Sequence, residues 1–145
     1  MKIIVLEGNS NSGKTNTIWK LRQNLLNSGN LPAPNTFILH GSQMFIDDFE
    51  EIINVANQKV AIVSMGDYSN SLVKRIHYYG TLGCDVLVCT LSNGSLKKYS
   101  PKINARKAII HYKTNLPFIQ KTVDFNKSTQ DNTNDNDAKL LLGLI

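Results

Sequence analysis

Apolar residues in this chain fall in short continuous blocks, separated by stretches where they recur at helical spacing. Ile3-Ile4-Val5-Leu6, between Lys2 and Glu7, is a run of the kind a buried strand carries. Ile18, Leu21 and Leu25 then lie along one stripe, widened by Trp19 and Leu26, which predicts a helix from Gly13 to about Ser28. Ser28-Gly29-Asn30 ends it, with Gly29 as a left-handed cap. Leu31-Pro32-Ala33-Pro34-Asn35 reads as a stiff connector, and Thr36-Phe37-Ile38-Leu39 as a second strand. Phe45, Phe49, Ile52 and Ala56 recur at helical spacing. Asp47, Asp48, Glu50 and Glu51 crowd the N-terminal half of that stretch, where a helix dipole favours them. A helix is therefore predicted from Gln43 or Asp47 to Asn57.

Lys59-Val60-Ala61-Ile62-Val63-Ser64-Met65 is the third strand and ends in Gly66-Asp67. Leu72, Val73, Ile76 and Tyr79 predict a helix from Ser69 to Tyr79, closed by Gly80. Asp85-Val86-Leu87-Val88-Cys89-Thr90 is nearly all apolar, as in a parallel sheet covered on both faces. After a loop at Ser92-Asn93-Gly94-Ser95, Ser100-Pro101 opens a helix running to about Tyr112. Leu116-Pro117 stops it, and Phe118 to Val123 is the fifth strand. Asn126 to Asn136 is dominated by Asn, Asp, Thr and Ser and reads as a mobile loop, followed by a short terminal helix from Ala138 to Ile145. The alternation predicts a single domain over residues 1–145. Its fold would be α/β: one doubly wound, mostly parallel five-stranded sheet with helices on both faces. Ligands of such folds bind beyond the C-terminal ends of the strands.

A chain of 145 residues can bury a full core without staples. No apolar run approaches the length of a membrane span, and the N-terminus reads as a strand rather than a signal peptide. Cys84 and Cys89 are too few for a disulfide framework and have no clustered histidines for zinc, so they read as buried free thiols in a cytoplasmic protein. The net charge of +5 is uneven. Residues 71–122 hold nine Lys/Arg against Asp85 alone, which is 9 − 1 = +8. Such a segment suits a second nucleotide, a phosphorylated substrate or nucleic acid; a solvated lysine face has the same composition.

The chemistry concentrates at Gly8-Asn9-Ser10-Asn11-Ser12-Gly13-Lys14-Thr15, which has the Walker A form G-x-x-x-x-G-K-[ST] between the first strand and the first helix. Its glycines let backbone N–H groups turn around phosphate oxygens, and the helix N-terminus adds partial positive charge. Lys14 is placed to reach the β- and γ-phosphates, and the Thr15 hydroxyl suits Mg²⁺. Asn9, Ser10, Asn11, Ser12 and Asn16 complete the expected nucleotide-binding set, for ATP or another nucleoside triphosphate.

Gly8 to Thr15, with Asp67 after a hydrophobic strand, resembles the P-loop NTPase superfamily. The resemblance implies that Asp67 holds the magnesium through water. A helix cap for the segment at Ser69 is the alternative role for Asp67, and Asp47 and Asp48 read as ordinary first-turn residues. Tyr68 follows Asp67 where motor-type ATPases carry a carboxylate, and no Asn-Lys-x-Asp sequence is present. A compact chain with a basic segment after the fourth strand is similar to small P-loop kinases. In these a lid supplies Arg or Lys to the transferring phosphoryl group. Here Lys97, Lys98, Arg106 and Lys107 are the candidates, with Arg106 the only lid arginine and Arg75 a further possibility.

The acceptor segment of such a kinase would be His40 to Asn57, offering His40, Gln43, Phe45 and Asp47 but no arginine, so the small-molecule acceptor stays open. His77 and His111 read as structural or exposed. Tyr78, Tyr79 and Tyr112 lie near basic residues, which can stack bases but more often serves a core. The expected activity is Mg-ATP-dependent phosphoryl transfer, with Lys14, Asp67 and Arg106 as its catalytic set and Thr15 and Asp67 on the metal. The competing expectation is a nucleotide-dependent switch, or an ATP-binding module that touches DNA through residues 74–113.

Overall fold

A computed structural model describes residues 1–41, 48–65, 69–92, 118–124 and 126–145. Its elements are β1 (Lys2–Gly8), α1 (Lys14–Asn27), β2 (Leu31–Pro32), β3 (Ile38–His40), β4 (Asp48–Val55), β5 (Gln58–Val63), α2 (Ser69–Thr81), β6 (Val86–Ser92), β7 (Phe118–Gln120) and α3 (Lys127–Leu142). The strands form one sheet in the order β2-β4-β5-β6-β1-β7, with β3 also paired to β4. Neighbours from β5 through β6 and β1 to β7 are parallel. β4 is antiparallel to β5, and β2 and β3 are antiparallel to β4. The five-stranded, mostly parallel, doubly wound sheet predicted from the alternation is thus corrected to a mixed sheet of seven strands, with three helices among the described residues.

The correction originates in residues 48–55, where the apolar spacing predicts helix and the chain forms β4. Phe49 and Ile53 bury on one face of the sheet and Ile52 on the other. Glu50 and Glu51, read as dipole-favoured residues in the N-terminal half of that helix, are both buried in a strand. Glu51 takes a two-point contact from Arg22 of α1, at 2.7 and 3.2 Å. Glu50 takes one from Arg75 of α2, at 2.7 and 2.9 Å. Counting those glutamates as inward restores the strand period of two. Val55 pairs with Gln58, leaving the two-residue turn Ala56-Asn57. Ala56 sits at φ 52°, the positive value that lets a short hairpin follow strand twist. On the far side of β4, Leu31-Pro32, expected as connector, forms β2, and the second expected strand shifts to Ile38–His40.

Alternate residues of β1 serve two cores. Ile4 and Leu6 pack with Ile18, Leu21 and Leu25 of α1 and with Ala138 and Leu141 of α3. Ile3 and Val5 pack with Leu72, Ile76 and Tyr79 of α2. The predicted α1 stripe is the buried one, and each of its leucines contributes on the order of 1.5–3 kcal/mol by leaving water. Gly29, at φ 84°, closes that helix as a left-handed residue. Cys84 and Cys89 are buried free thiols, and burial pushes the Cys89 thiol up to about 12.

The stretch 126–136, expected as a mobile loop, belongs instead to α3 apart from its cap. Asn126 is that cap, and its side chain accepts from the Ser128 N–H at 3.1 Å. Asp124 accepts from the Thr129 hydroxyl at 2.5 Å and from the Asn126 N–H at 2.9 Å. Those bonds hold its carboxyl below the usual carboxylate range. Residues with weak helix propensity are retained in α3 by its packing on α1. Among the described residues no helix is long and apolar enough to cross a membrane.

Candidate phosphate-binding site

Parallel β1, β5 and β6 end at one edge of the sheet, at Gly8, Val63 and Ser92. The loop from Gly8 to Thr15 leaves β1 at this edge and runs into α1. Gly13 takes φ 85° and caps α1 without a side-chain hydrogen bond. A helix start of that kind presents backbone N–H groups and partial positive charge to an anion. Asn11, at φ 61°, turns the loop in the same left-handed sense. Asn9, Ser10 and Asn11 are exposed, while Ser12 and Lys14 are buried.

Lys14 folds over its own loop. Its Nζ donates to the Gly8 carbonyl at 3.2 Å and to the Asn9 carbonyl at 2.7 Å. Ser12 Oγ is buried and has no hydrogen-bond partner among the described residues. An orphaned hydroxyl inside a glycine loop carries an unmet desolvation cost that a ligand oxygen would relieve. Ser10 Oγ lies 3.1 Å from Ser92 Oγ and ties the loop to the end of β6.

Antiparallel β4 starts where the parallel strands end, so its first residue enters the same edge. Asp48 Oδ1 accepts from the Thr15 hydroxyl at 2.8 Å and from the Ser64 hydroxyl at 3.0 Å. Ser64, just after β5, also accepts from the Phe49 N–H at 2.8 Å, and its own carbonyl accepts from Thr90 Oγ1 at 2.7 Å. Asn11, Gly13, Lys14, Thr15, Asn16, Asp48 and Ser64 line an open cavity of about 290 Å³. Of the expected loop residues, Asn11, Gly13, Lys14, Thr15 and Asn16 are thus brought together with two that were not expected, Asp48 and Ser64, while Gly8, Asn9, Ser10 and Ser12 do not line the cavity. Asp48 is not in a first helical turn; it is the first residue of an edge-facing strand. Its signal in the sequence is the strand alternation that buried glutamates conceal.

Asp67, the expected metal-binding aspartate, lies outside the described residues, as do Gly66 and Tyr68. So do Gln43, Phe45, Asp47, the predicted helix over 101–112, and Lys97, Lys98, Arg106, Lys107, His111 and Tyr112. Arg75 is described, and it is not at this edge. It clamps Glu50 on the α2 face, where His40 Nε2 lies 3.0 Å from Glu50 Oε1 and the Tyr79 hydroxyl donates to Oε2 at 2.9 Å. Burial, reinforced by Glu50, pushes the Tyr79 phenol far above its ordinary value. His40 and Arg75 are therefore parts of a hydrogen-bonded cluster around Glu50, and a second cavity beside it, about 350 Å³, is lined by Ile38, Glu50, Lys74, Arg75 and Tyr78. His77 is exposed on α2.

Among the described residues no group of three or more His, Cys, Asp or Glu could hold a metal alone. The oxygens of Thr15 and Asp48 are hard donors. They fit Mg²⁺, which binds through one or two protein oxygens, phosphate oxygens and retained water.

No protein-family model matches the chain, and no curated protein matches it. Among solved structures, the chain is similar to the crystal structure of APE1195 at 15% identity and a TM-score of 0.44, covering 99% of this chain and 73% of that one. A likeness that distant carries no argument here.

Proposed function

We propose that this chain binds a nucleoside triphosphate with Mg²⁺ at the loop Gly8–Thr15 and presents its γ-phosphate for transfer to an acceptor. The observation that carries the proposal is the meeting of Thr15 with Asp48 beside Lys14, in one cavity at the start of α1. Phosphate oxygens would lie against the N–H groups at Gly13 and the Lys14 ammonium, and the orphaned Ser12 hydroxyl would gain a partner. When bound, Mg²⁺ would neutralise charge on the phosphates, held by Thr15 and Asp48. Asp67 keeps its proposed part as a further carboxylate near the metal. With Arg75 committed to Glu50, the cation for the transferring group falls to Lys97, Lys98, Arg106 or Lys107.

The test compares ATP binding with Mg²⁺ and with EDTA, by calorimetry. Wild type should bind more tightly with Mg²⁺. Asp48→Asn keeps the shape and loses the charge, and should lose about tenfold of that gain, about 1.4 kcal/mol. An Asp48→Asn protein that responds to Mg²⁺ as wild type does would remove Asp48 from the metal site.

A further inference from the structure

Gly8 and Gly13 bracket the loop, and both are closed over by the C-terminal segment. A Cβ on Gly8 would fall 2.7 Å from Lys121 Cβ and 2.9 Å from Ser12 Oγ. A Cβ on Gly13 would fall 2.8 Å from Asn134 Oδ1 and 3.4 Å from Gln130 Nε2. Neither glycine can gain a side chain unless those groups move.

The groups that press on the loop are themselves fixed. Asn134 is buried on α3. Its Oδ1 accepts from Gln130 Nε2 at 2.9 Å and from the Thr17 hydroxyl of α1 at 3.4 Å. Three residues further along α3, Asp137 holds the Lys121 ammonium at 2.8 Å. The terminal helix thus makes the contact at Gly13 itself and anchors Lys121, the residue that makes the contact at Gly8. A carboxamide oxygen beside Gly13 also faces the positive end of the α1 dipole, a favourable placement.

We infer that Asn134 is a positioning residue: it wedges Gly13 into its left-handed turn and so sets the curvature of the loop before any ligand arrives. The inference rests on the proposed nucleotide site and adds to it a dependence on α3. A loop held in its bound shape gives up less conformational freedom on binding, so losing the wedge weakens affinity without removing any ligand contact.

The full chain carries the test. Wild type, Asn134→Ala, Gln130→Ala and Leu141→Ala are titrated with a fluorescent ATP analogue and Mg²⁺ at 15 °C, and unfolded thermally without nucleotide. Leu141 is buried in the core under α3 and serves as the control for general destabilisation. Asn134→Ala should raise Kd about tenfold, and the half-buried Gln130→Ala about threefold, with Tm changing less than in Leu141→Ala. Leu141→Ala should keep Kd within about twofold of wild type while losing the most Tm. Adding Gly13→Ala should weaken binding less in the Asn134→Ala background than in wild type, because the methyl enters vacated space. Unchanged Kd in both Asn134→Ala and Gln130→Ala overturns the inference and leaves the nucleotide site standing. Kd losses that track Tm across all variants, or an additive Gly13–Asn134 pair, overturn it as well. A wild-type chain that does not bind the analogue removes both the site and the wedge.

Discussion

Lys14→Ala is expected to lower affinity for Mg-ATP by at least about a hundredfold while leaving the fold in place. A charge-assisted hydrogen bond contributes roughly 1.5–3 kcal/mol, and a lysine bridging two phosphates makes more than one. What the substitution removes from the unliganded protein is smaller. Lys14 Nζ donates to the carbonyls of Gly8 and Asn9, and Lys14 itself lines the open cavity. Asn9 is exposed and its carbonyl can turn to solvent, so the loss of Tm should be small beside the loss of affinity. Calorimetric titration together with near-ultraviolet circular dichroism separates the two effects. Affinity within about threefold of wild type would mean that the lysine does not face the ligand.

The second large effect lies in the C-terminal segment. Asp137→Ala should destabilise the domain by about 3–5 kcal/mol, the usual cost of removing one partner of a buried ion pair. The Lys121 side chain is fully buried and that of Asp137 nearly so. Asp137 also accepts from the Thr122 N–H at 3.0 Å and from its hydroxyl at 2.9 Å, so three hydrogen bonds go at once and the Lys121 ammonium keeps only the Thr122 carbonyl among the described residues, with no anion to balance it. For a chain of this size the loss corresponds to a fall in Tm of roughly 10 °C or more. Replacing the pair together, Lys121→Met with Asp137→Leu, should recover most of that loss, because no uncompensated charge remains. Urea unfolding of the single and double variants gives both numbers. A single variant within about 1 kcal/mol of wild type would contradict the reading of this pair as buried and coupled.

The parts legible in the sequence are those whose local signals agree with their tertiary surroundings. The run Ile3–Leu6, the stripe Ile18, Leu21 and Leu25, and the cap at Gly29 each carry one pattern, and the chain forms β1, α1 and its end there. The glycine loop between them is located in the sequence by those flanking elements. Residues 48–55 carry two patterns at once. With Glu50 and Glu51 counted as polar and outward, the apolar positions repeat at helical spacing. With those glutamates inward, held by Arg75 and Arg22 from helices on opposite faces, they alternate as a strand. The arginines lie 25 and 29 residues away in sequence, so no local window contains the information. The hairpin turn Ala56-Asn57 also lacks the glycine that usually marks one.

The same logic governs the two ends of the site. Asp48 faces Thr15 only because β4 is antiparallel, and that direction was hidden with the strand itself. The polar stretch after Asn126 becomes helix because Asn126 and Asp124 cap it and because α1 lies alongside, where Lys20 reaches Asp131 at 3.0 Å. Its Asn134 and Asp137 then support the loop from behind, a role that composition alone assigns to solvent.

The most direct measurement is a backbone amide NMR titration of the isotope-labelled chain with ATP and Mg²⁺. Saturable shifts are expected, centred on Gly8, Gly13, Lys14 and Thr15, extending to Asp48 and Ser64 and absent in Lys14→Ala. Amides of the loop that stay unmoved to millimolar ATP, or shifts centred instead on Ile38, Lys74 and Tyr78 around the second cavity, would contradict a nucleotide site at this loop.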